Sequence, residues 1–420
     1  MKRLIFTFSV AGGLLISMAY CSKKNDNNTV APIDTTSTVT VKYIDTSANA
    51  AFVHPGLLHG KEDFDRMKIK VNAGAEPWIS GWNKMIANSH ARASYIANPT
   101  VKLIRGGGTV EEPEPDNYSR AFNDVAAAYQ LAVRWKITGD DVYAQAAVNI
   151  LNAWASTCIG LFGDSNQMLA AGIYGYQFAN AAEILRDYSG WAAADFTKFK
   201  TFMLTVFYPK NHDFLVRHNG TCISHYWANW DLCNIASVMA IGVLTDNRQL
   251  YNEAVNYFQR GAGNGNILKA INYIHPNGLG QVQESGRDQG HATLCISLMG
   301  TICQMALHQG DDFFAFDNNR LLKACEYTAK YNVANLDVPF NSYTNCDNIT
   351  HTVVSPDSRG TVRPMWAIVY NYYAKRKGLP APYTLLGVNT TQPEGGGGDY
   401  GPNSGGFDQL GFGTLLYSLE

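Results

Sequence analysis

The chain has 420 residues, of which 46% are hydrophobic, 12% aromatic and 16% charged. That balance belongs to a compact globular protein and excludes a disordered one. The formal net charge of −2 supplies no long-range field for nucleic acid, so a polyanionic ligand must be met by positive groups gathered locally.

Residues 1–21, "MKRLIFTFSVAGGLLISMAYC", join a basic start to an apolar run too short to span a bilayer and a small-residue region ending at Cys21. The segment reads as a lipoprotein-type export signal with Cys21 as lipid acceptor, although Tyr20 stands where a small residue is usual; simple cleavage nearby is the alternative. Residues 22–48 are polar, Thr/Asn-rich and unpatterned. They are expected to tether a domain at 49–385 to the outer membrane, on its periplasmic or cell-surface face.

From about residue 119 to 377, apolar helical runs alternate with short breakers. "SRAFNDVAAAYQLAVRWKI" stops at "TGDD" before "VYAQAAVNILNAWA", "NWDLCNIASVMAIGVL" stops at "TDN" before "RQLYNEAVNYFQ", and "HATLCISLMGTICQMALH" stops at "QGDD" before "NRLLKACEYTAKY". Helical hairpins in series, with no repeat of fixed length, predict an all-α fold: an (α/α) toroid or incomplete barrel with buried inner and amphipathic outer helices. The tail, residues 386–420, carries Gly clusters and then "FDQLGFGTLLY". It is too apolar to stay in water and is expected as a loop and short strand packed on the body.

Beyond Cys21 there are seven cysteines, an odd number with no zinc-type spacing, so most are expected as buried small hydrophobes. No Walker loop, G-x-G-x-x-G or H-E-x-x-H occurs. No metal and no cofactor is expected.

Two stretches place chemistry at helix starts. In "QVQESGRDQGHATL", Glu284, Arg287, Asp288 and His291 fall at i, i+3, i+4 and i+7, one face of a helix whose continuation is Cys295, Leu298 and Ile302. In "HNGTCISHYWANWDLCNIASVMAIGVL", His225, Tyr226 and Trp227 precede Asn229, a residue that must find partners if buried in an apolar helix. Three weaker patches could bind a sugar. They are Tyr174, Tyr176, Gln177 and Asn180 in "AGIYGYQFANAAEIL", Arg120 and Asn123 with Asp124, and Arg359 and Arg363 in "SRGTVRPMW". For each, a core or solvated role is the bland alternative.

Amide, Arg, His and Tyr groups at the ends of apolar helices suit eliminative cleavage of a uronic-acid polymer. The C5 proton of a uronate becomes acidic only when its carboxylate is neutralised; a base then removes it and an acid protonates the leaving O4.

"NWDLCNIASVMAIGVLTDNRQLYNEAVNYF" resembles the helix pair of the α/α-toroid alginate lyases, and "ESGRDQGH" with "NRLLKACEYTAKYN" looks closer to polysaccharide lyase family 38, which includes alginate and glucuronan lyases. The likeness covers roughly residues 54–380. It implies Asn229 and Arg287 as carboxylate neutralisers. Trp230 stands where the family has His, and the family tyrosine falls near Leu294, so base and acid must come from His291, Tyr226 or His225, with His291 and Tyr226 preferred. Glu284 and Asp288 are expected to orient Arg287 and His291. The expected partner is an anionic polysaccharide, met by a monomer that touches the membrane only through its lipid. An unsaturated-uronide hydrolase, using Asp124, Glu284 or Asp288 as acid, and a non-catalytic glycan-binding lipoprotein are the competing readings.

Overall fold

The computed structural model describes residues 41–45, 51–394 and 408–420. Cys21, the export signal, most of the expected tether and the Gly-rich segment 395–407 lie outside the described residues. Residues 41–45, assigned above to the tether, lie against the body instead: Ile44 exchanges both backbone bonds with the Gln259 amide, at 2.8 Å each, and Tyr43 packs on Arg260.

The chain opens with α1 (Lys61–Asn72) and α2 (Trp78–Ala87), then β1 (Lys102–Ile104), before the hairpin of α3 (Ser119–Thr138) and α4 (Asp141–Thr157). Its turn is built as the sequence demands: Gly139 takes the left-handed conformation that closes α3, and the Asp140 side chain accepts from Val142 N to open α4. β2 (Gly160–Phe162) pairs in parallel with β1. α5 (Gln167–Ile184) follows, then α6 (Ala193–Phe202), which runs through a π-helical turn into α7 (Tyr208–Arg217).

The next hairpin is α8 (Ala228–Leu244) with α9 (Arg248–Arg260), whose first turn is capped by Asn247. A short α10 (Ile267–Ala270) leads into the antiparallel pair β3 (Ile271–Ile274) and β4 (Gly280–Val282). Then come α11 (Gln289–His308) and α12 (Phe316–Asn332), the two-residue strands β5 (Tyr343–Thr344) and β6 (Thr350–His351), α13 (Trp366–Tyr370), α14 (Pro382–Thr391) and α15 (Gly413–Tyr417).

The inner helices α3, α5, α8, α11 and α13 pack each on the next, while α4, α9, α12 and α14 lie outside them. This is the helical toroid expected from the hairpins. α15 packs on α13, α2 and α1, and α1 on α3, so the first and last helices of the described body meet. Residues 408–420 pack on the body, and "GTLLY" forms a helical turn in place of the expected strand. Leu415 and Leu416 in that turn are fully buried.

Burial tracks sequence pattern. α9 buries Leu250, Tyr251, Ala254, Val255 and Phe258, one face of a helix, whereas α5 is buried from Met168 to Ile184. α5 and α8 approach closely through glycine: a Cβ on Gly172 would stand 2.3 Å from Cys233 Sγ and 2.8 Å from Asn234 N. An alanine there would force apart the two central helices, one of which carries Asn229.

Candidate active site

The site begins where α8 begins. The first N–H groups of a helix have no partner within it, and here the opposite segment, 283–284, supplies them: Ala228 N donates to Gln283 Oε1 at 3.1 Å and Asn229 N to Glu284 Oε1 at 2.8 Å. A carboxylate at a helix N-terminus also gains from the helix dipole. The Asn229 amide donates to Glu284 Oε1 at 2.7 Å, Cys295 Sγ to the same oxygen at 3.1 Å, and Arg287 Nη1 to Oε2 at 3.0 Å. Burial and the neighbouring carboxylate push the Cys295 thiol far above its ordinary range, so it remains a neutral donor. Glu284 is fully buried with both oxygens occupied. It is a clamp that aligns Asn229 and Arg287.

The second tier rises from the start of α11. The expected continuous helix face is broken here. Gln283–Gly286 form a 3-10 turn, and Asp288 is extended (φ −165°), capping α11 through His291 N at 2.8 Å. Glu284, Arg287, Asp288 and His291 still converge, because the 3-10 turn and the cap fold the chain back toward the helix axis. Asp288 Oδ2 also meets His291 Nδ1 at 2.6 Å. Burial alone would raise the Asp288 carboxyl, but the bonds from His291 outweigh it and hold it below the usual range. With its proton on Nδ1, His291 accepts through Nε2 from Arg287 Nη2 at 3.4 Å. Glu284 and Asn229 form the floor of the site, while Arg287 and His291 are partly exposed to solvent, 27% and 39% for their side chains.

A third wall comes from the β5–β6 hairpin. Tyr343 and His351 are cross-strand partners with stacked rings, centroids 5.5 Å apart. His351 meets Trp227 edge-on at 5.3 Å, and Trp227 faces the Arg287 guanidinium at 5.1 Å. Gln283 Nε2 donates to the Tyr343 hydroxyl at 3.1 Å. Burial, reinforced by Glu284 and partly opposed by Arg287, raises the Tyr343 phenol well above its ordinary value. The close approach of hairpin and site requires Gly286, where a Cβ would lie 2.7 Å from His351 Cβ. The hairpin is fastened by the Cys222–Cys346 disulfide, by His225 Nδ1 on Asp347 Oδ2 at 2.8 Å and by Cys346 N on Ser224 Oγ at 2.9 Å. Beside Tyr343 lies a cavity of about 310 Å³ lined by Asn264, Asn272, Asn341, Asn345 and Lys269.

The remaining residues singled out from sequence stand elsewhere. His225 serves the hairpin latch, and Tyr226 accepts from Asn219 at 2.9 Å within a cluster of Phe214, Trp230 and His225. Tyr174, Tyr176, Gln177 and Asn180 are buried in α5. Tyr176 donates to Asp408 O, and Asn180 bonds Leu58 N and Tyr176 O, so these groups hold the core together and offer no sugar-binding surface. Arg120 and Asn123 bond the 88–98 segment. Arg359 lies over Tyr331. Arg363 is 4% exposed and ties Gly290 O and Thr293 at the start of α11 to Asp408, a supporting position behind the site. Leu294 is core, and Asp124 is fully buried, accepting from Tyr95, Asn98 N and Trp154.

Gln283, Tyr343 and His351 were not singled out by sequence reasoning, and Trp227 was named only as a neighbour of Asn229; a Tyr and a His bracketing a Cys-Asp-Asn turn was the available signal. Among the described residues five cysteines are free and buried. Among the described residues the one group with metal-capable spacing, Cys222, Cys346 and Asp347, has its sulfurs joined to each other.

The inner helices of this toroid open onto a clamped Asn–Arg pair with a histidine and a tyrosine beside it, and its family match makes the chain a polysaccharide lyase. Residues 83–337, more than half of the chain, match the alginate lyase family model, and the chain belongs to that family. Its fold is that of an alginate lyase from Bacteroides ovatus (TM-score 0.56, 15% identity, covering 88% of this chain and 100% of that one). It is also that of alginate lyase A1-III from Sphingomonas species A1 (TM-score 0.55, 14% identity, 85% and 95% covered). A variant of alginate lyase A1-III complexed with a tetrasaccharide matches at TM-score 0.56 and 15% identity, with 85% and 94% covered. No curated protein sequence matches the chain.

Proposed function

We propose that the chain cleaves a uronic-acid polymer, alginate or glucuronan, by β-elimination, with Asn229 and Arg287 neutralising the substrate carboxylate and His291 removing the C5 proton. The observation that carries this reading is the shared clamp: one buried carboxylate, Glu284, holds Asn229 and Arg287 together, while the partly exposed Arg287 guanidinium also reaches His291 Nε2 through Nη2. Negative charge grows on the uronate carboxylate as C5–H breaks, and donors fixed in advance stabilise it without reorganisation. The Asp288–His291 pair supports His291 as base, because it places the proton on Nδ1 and leaves Nε2 an acceptor, held only by a long 3.4 Å bond from Arg287 Nη2 that a substrate can displace. The same reading has the protein exported, lipid-anchored through Cys21 to the outer membrane and monomeric.

The hydrolase reading requires a carboxylic acid facing the sugar. Glu284, Asp288 and Asp124 are each committed to protein donors, which favours elimination. Incubation with alginate, glucuronan and hyaluronan while following ultraviolet absorbance tests the proposal. A lyase creates a conjugated C4=C5 double bond that absorbs, whereas a hydrolase or a binding protein leaves absorbance flat.

A further inference from the structure

Elimination needs a proton for the departing O4, and neither of the groups suggested for it by sequence faces Asn229 and Arg287: His225 latches the hairpin and Tyr226 lies among Phe214 and Trp230. Tyr343 differs from both. Its hydroxyl accepts from Gln283 Nε2, and among the described residues no acceptor takes its own proton. Gln283 holds the first residue of α8 with its other end, so Tyr343 is in fixed register with Asn229 through two hydrogen bonds. The ring is clamped between its cross-strand stack on His351 and the disulfide-fastened hairpin. It stands at the edge of the amide-lined cavity, whose volume of about 310 Å³ is at the lower end of the range for small-ligand sites. Asn264, Asn272, Asn341 and Asn345 line that cavity with amide groups, the donor and acceptor type that sugar hydroxyls pair with.

We infer that Tyr343 is the catalytic acid of this lyase: its phenolic proton passes to O4 of the leaving sugar, which departs into the pocket lined by Asn264, Asn272, Asn341 and Asn345. The inference rests on the elimination reading above and adds the second proton-carrying group to it. His291 Nε2 takes the C5 proton, and the C5–H electron pair becomes the C4=C5 π bond. The C4–O4 pair leaves on O4, and the Tyr343 proton completes the new hydroxyl. The phenolate then regains a proton from solvent and His291 releases the one it took, so both groups return to their starting states. Burial and the neighbouring Glu284 keep Tyr343 protonated between turnovers, as an acid requires and a base does not.

The test compares wild type with Tyr343→Phe, which keeps the stacked ring and removes only the hydroxyl, on two substrates. With the polymer, the variant's turnover should fall by roughly a hundred-fold or more at similar KM. With a uronide bearing 2,4-dinitrophenolate at C4, a leaving group that needs no proton, the variant should match wild type within a few-fold. Equal turnover on the polymer, or equal losses on both substrates, would overturn the assignment. If Tyr343→Phe does not fold, wild type alone decides: across aryl leaving groups of rising pKa its rate should change little, and a steep dependence would exclude a built-in acid. A wild type that yields no absorbing product defeats the elimination reading itself. An active wild type with an equally active Tyr343→Phe defeats only the role of Tyr343.

Discussion

Asn229 and Arg287, from two different segments, grip opposite oxygens of one buried carboxylate, at 2.7 Å and 3.0 Å from Glu284 Oε1 and Oε2. The partly exposed Arg287 could not hold its aim alone, since an unpaired arginine has many rotamers, and the buried Asn229 amide needs an acceptor. The clamp removes that freedom before substrate arrives, which is how preorganised donors gain their advantage.

Removing the clamp should damage both stability and turnover. Glu284→Ala leaves Asn229 N, the Asn229 amide and Arg287 without their shared acceptor. Breaking a buried pair in this way costs about 3–5 kcal/mol, towards the lower end here because Arg287 reaches solvent. Glu284→Gln retains an acceptor and should cost less while still lowering kcat. Urea denaturation of the three proteins checks the order, and equal midpoints would contradict it.

The Asp288–His291 pair should make the start of α11 sensitive to acid. The Asp288 carboxyl is held below its ordinary value in the folded state, so its contribution is complete above the unfolded value of about 3.9. It is lost as pH falls through the depressed folded value. Asp288→Ala should cost about 1 kcal/mol near neutral pH through the lost cap and flatten that part of the acid limb. His291→Ala should lower turnover roughly a hundred-fold and remove an ionisation from the pH–rate profile. An unchanged profile in the folded variant would exclude His291 as the base.

The hairpins were legible because their turns carry residues with one structural use: Gly139 ends a helix and Asp140 or Asn247 starts the next. Half of the site was legible for a related reason, since charge interrupting an apolar run at 284–291 has no core role. The α5 tyrosines misled because an inner helix is buried on every side and has no polar face to separate core from cleft. Tyr343 and His351 escaped notice because two-residue strands leave no alternation to read, and their partner Trp227 is brought to them only by tertiary folding.

The Cys222–Cys346 bridge spans 124 residues of sequence and fastens the β5–β6 hairpin to the loop that leads into α8. The double variant Cys222→Ser/Cys346→Ser should lose about 2–4 kcal/mol of stability. It should also lose turnover, because the hairpin that carries Tyr343 loses its covalent tie and is left to hydrogen bonds and ring contacts, among them His225–Asp347, Ser224–Cys346 N and Gln283–Tyr343. Thermal melts and initial rates with and without reductant check this; a reduced protein as active as the oxidised one would show that the hairpin needs no staple.

Cys21→Ser should move the protein from the membrane fraction to the soluble one after cell fractionation. Unchanged partitioning would remove the lipid anchor from the account.

The central claim is that a uronate carboxylate is neutralised by Arg287 while the C5 proton leaves. The most direct test is the rate at which ultraviolet-absorbing product forms from alginate or glucuronan, measured for wild type, Arg287→Lys and Arg287→Ala in parallel. Absorbance should rise with wild type and fall by roughly a hundred- to a thousand-fold with Arg287→Ala, the loss expected for one preorganised donor. Arg287→Lys should recover only part of it, because an ammonium cannot reproduce the guanidinium fork. A folded Arg287→Ala protein that generates the double bond at the wild-type rate would contradict the account.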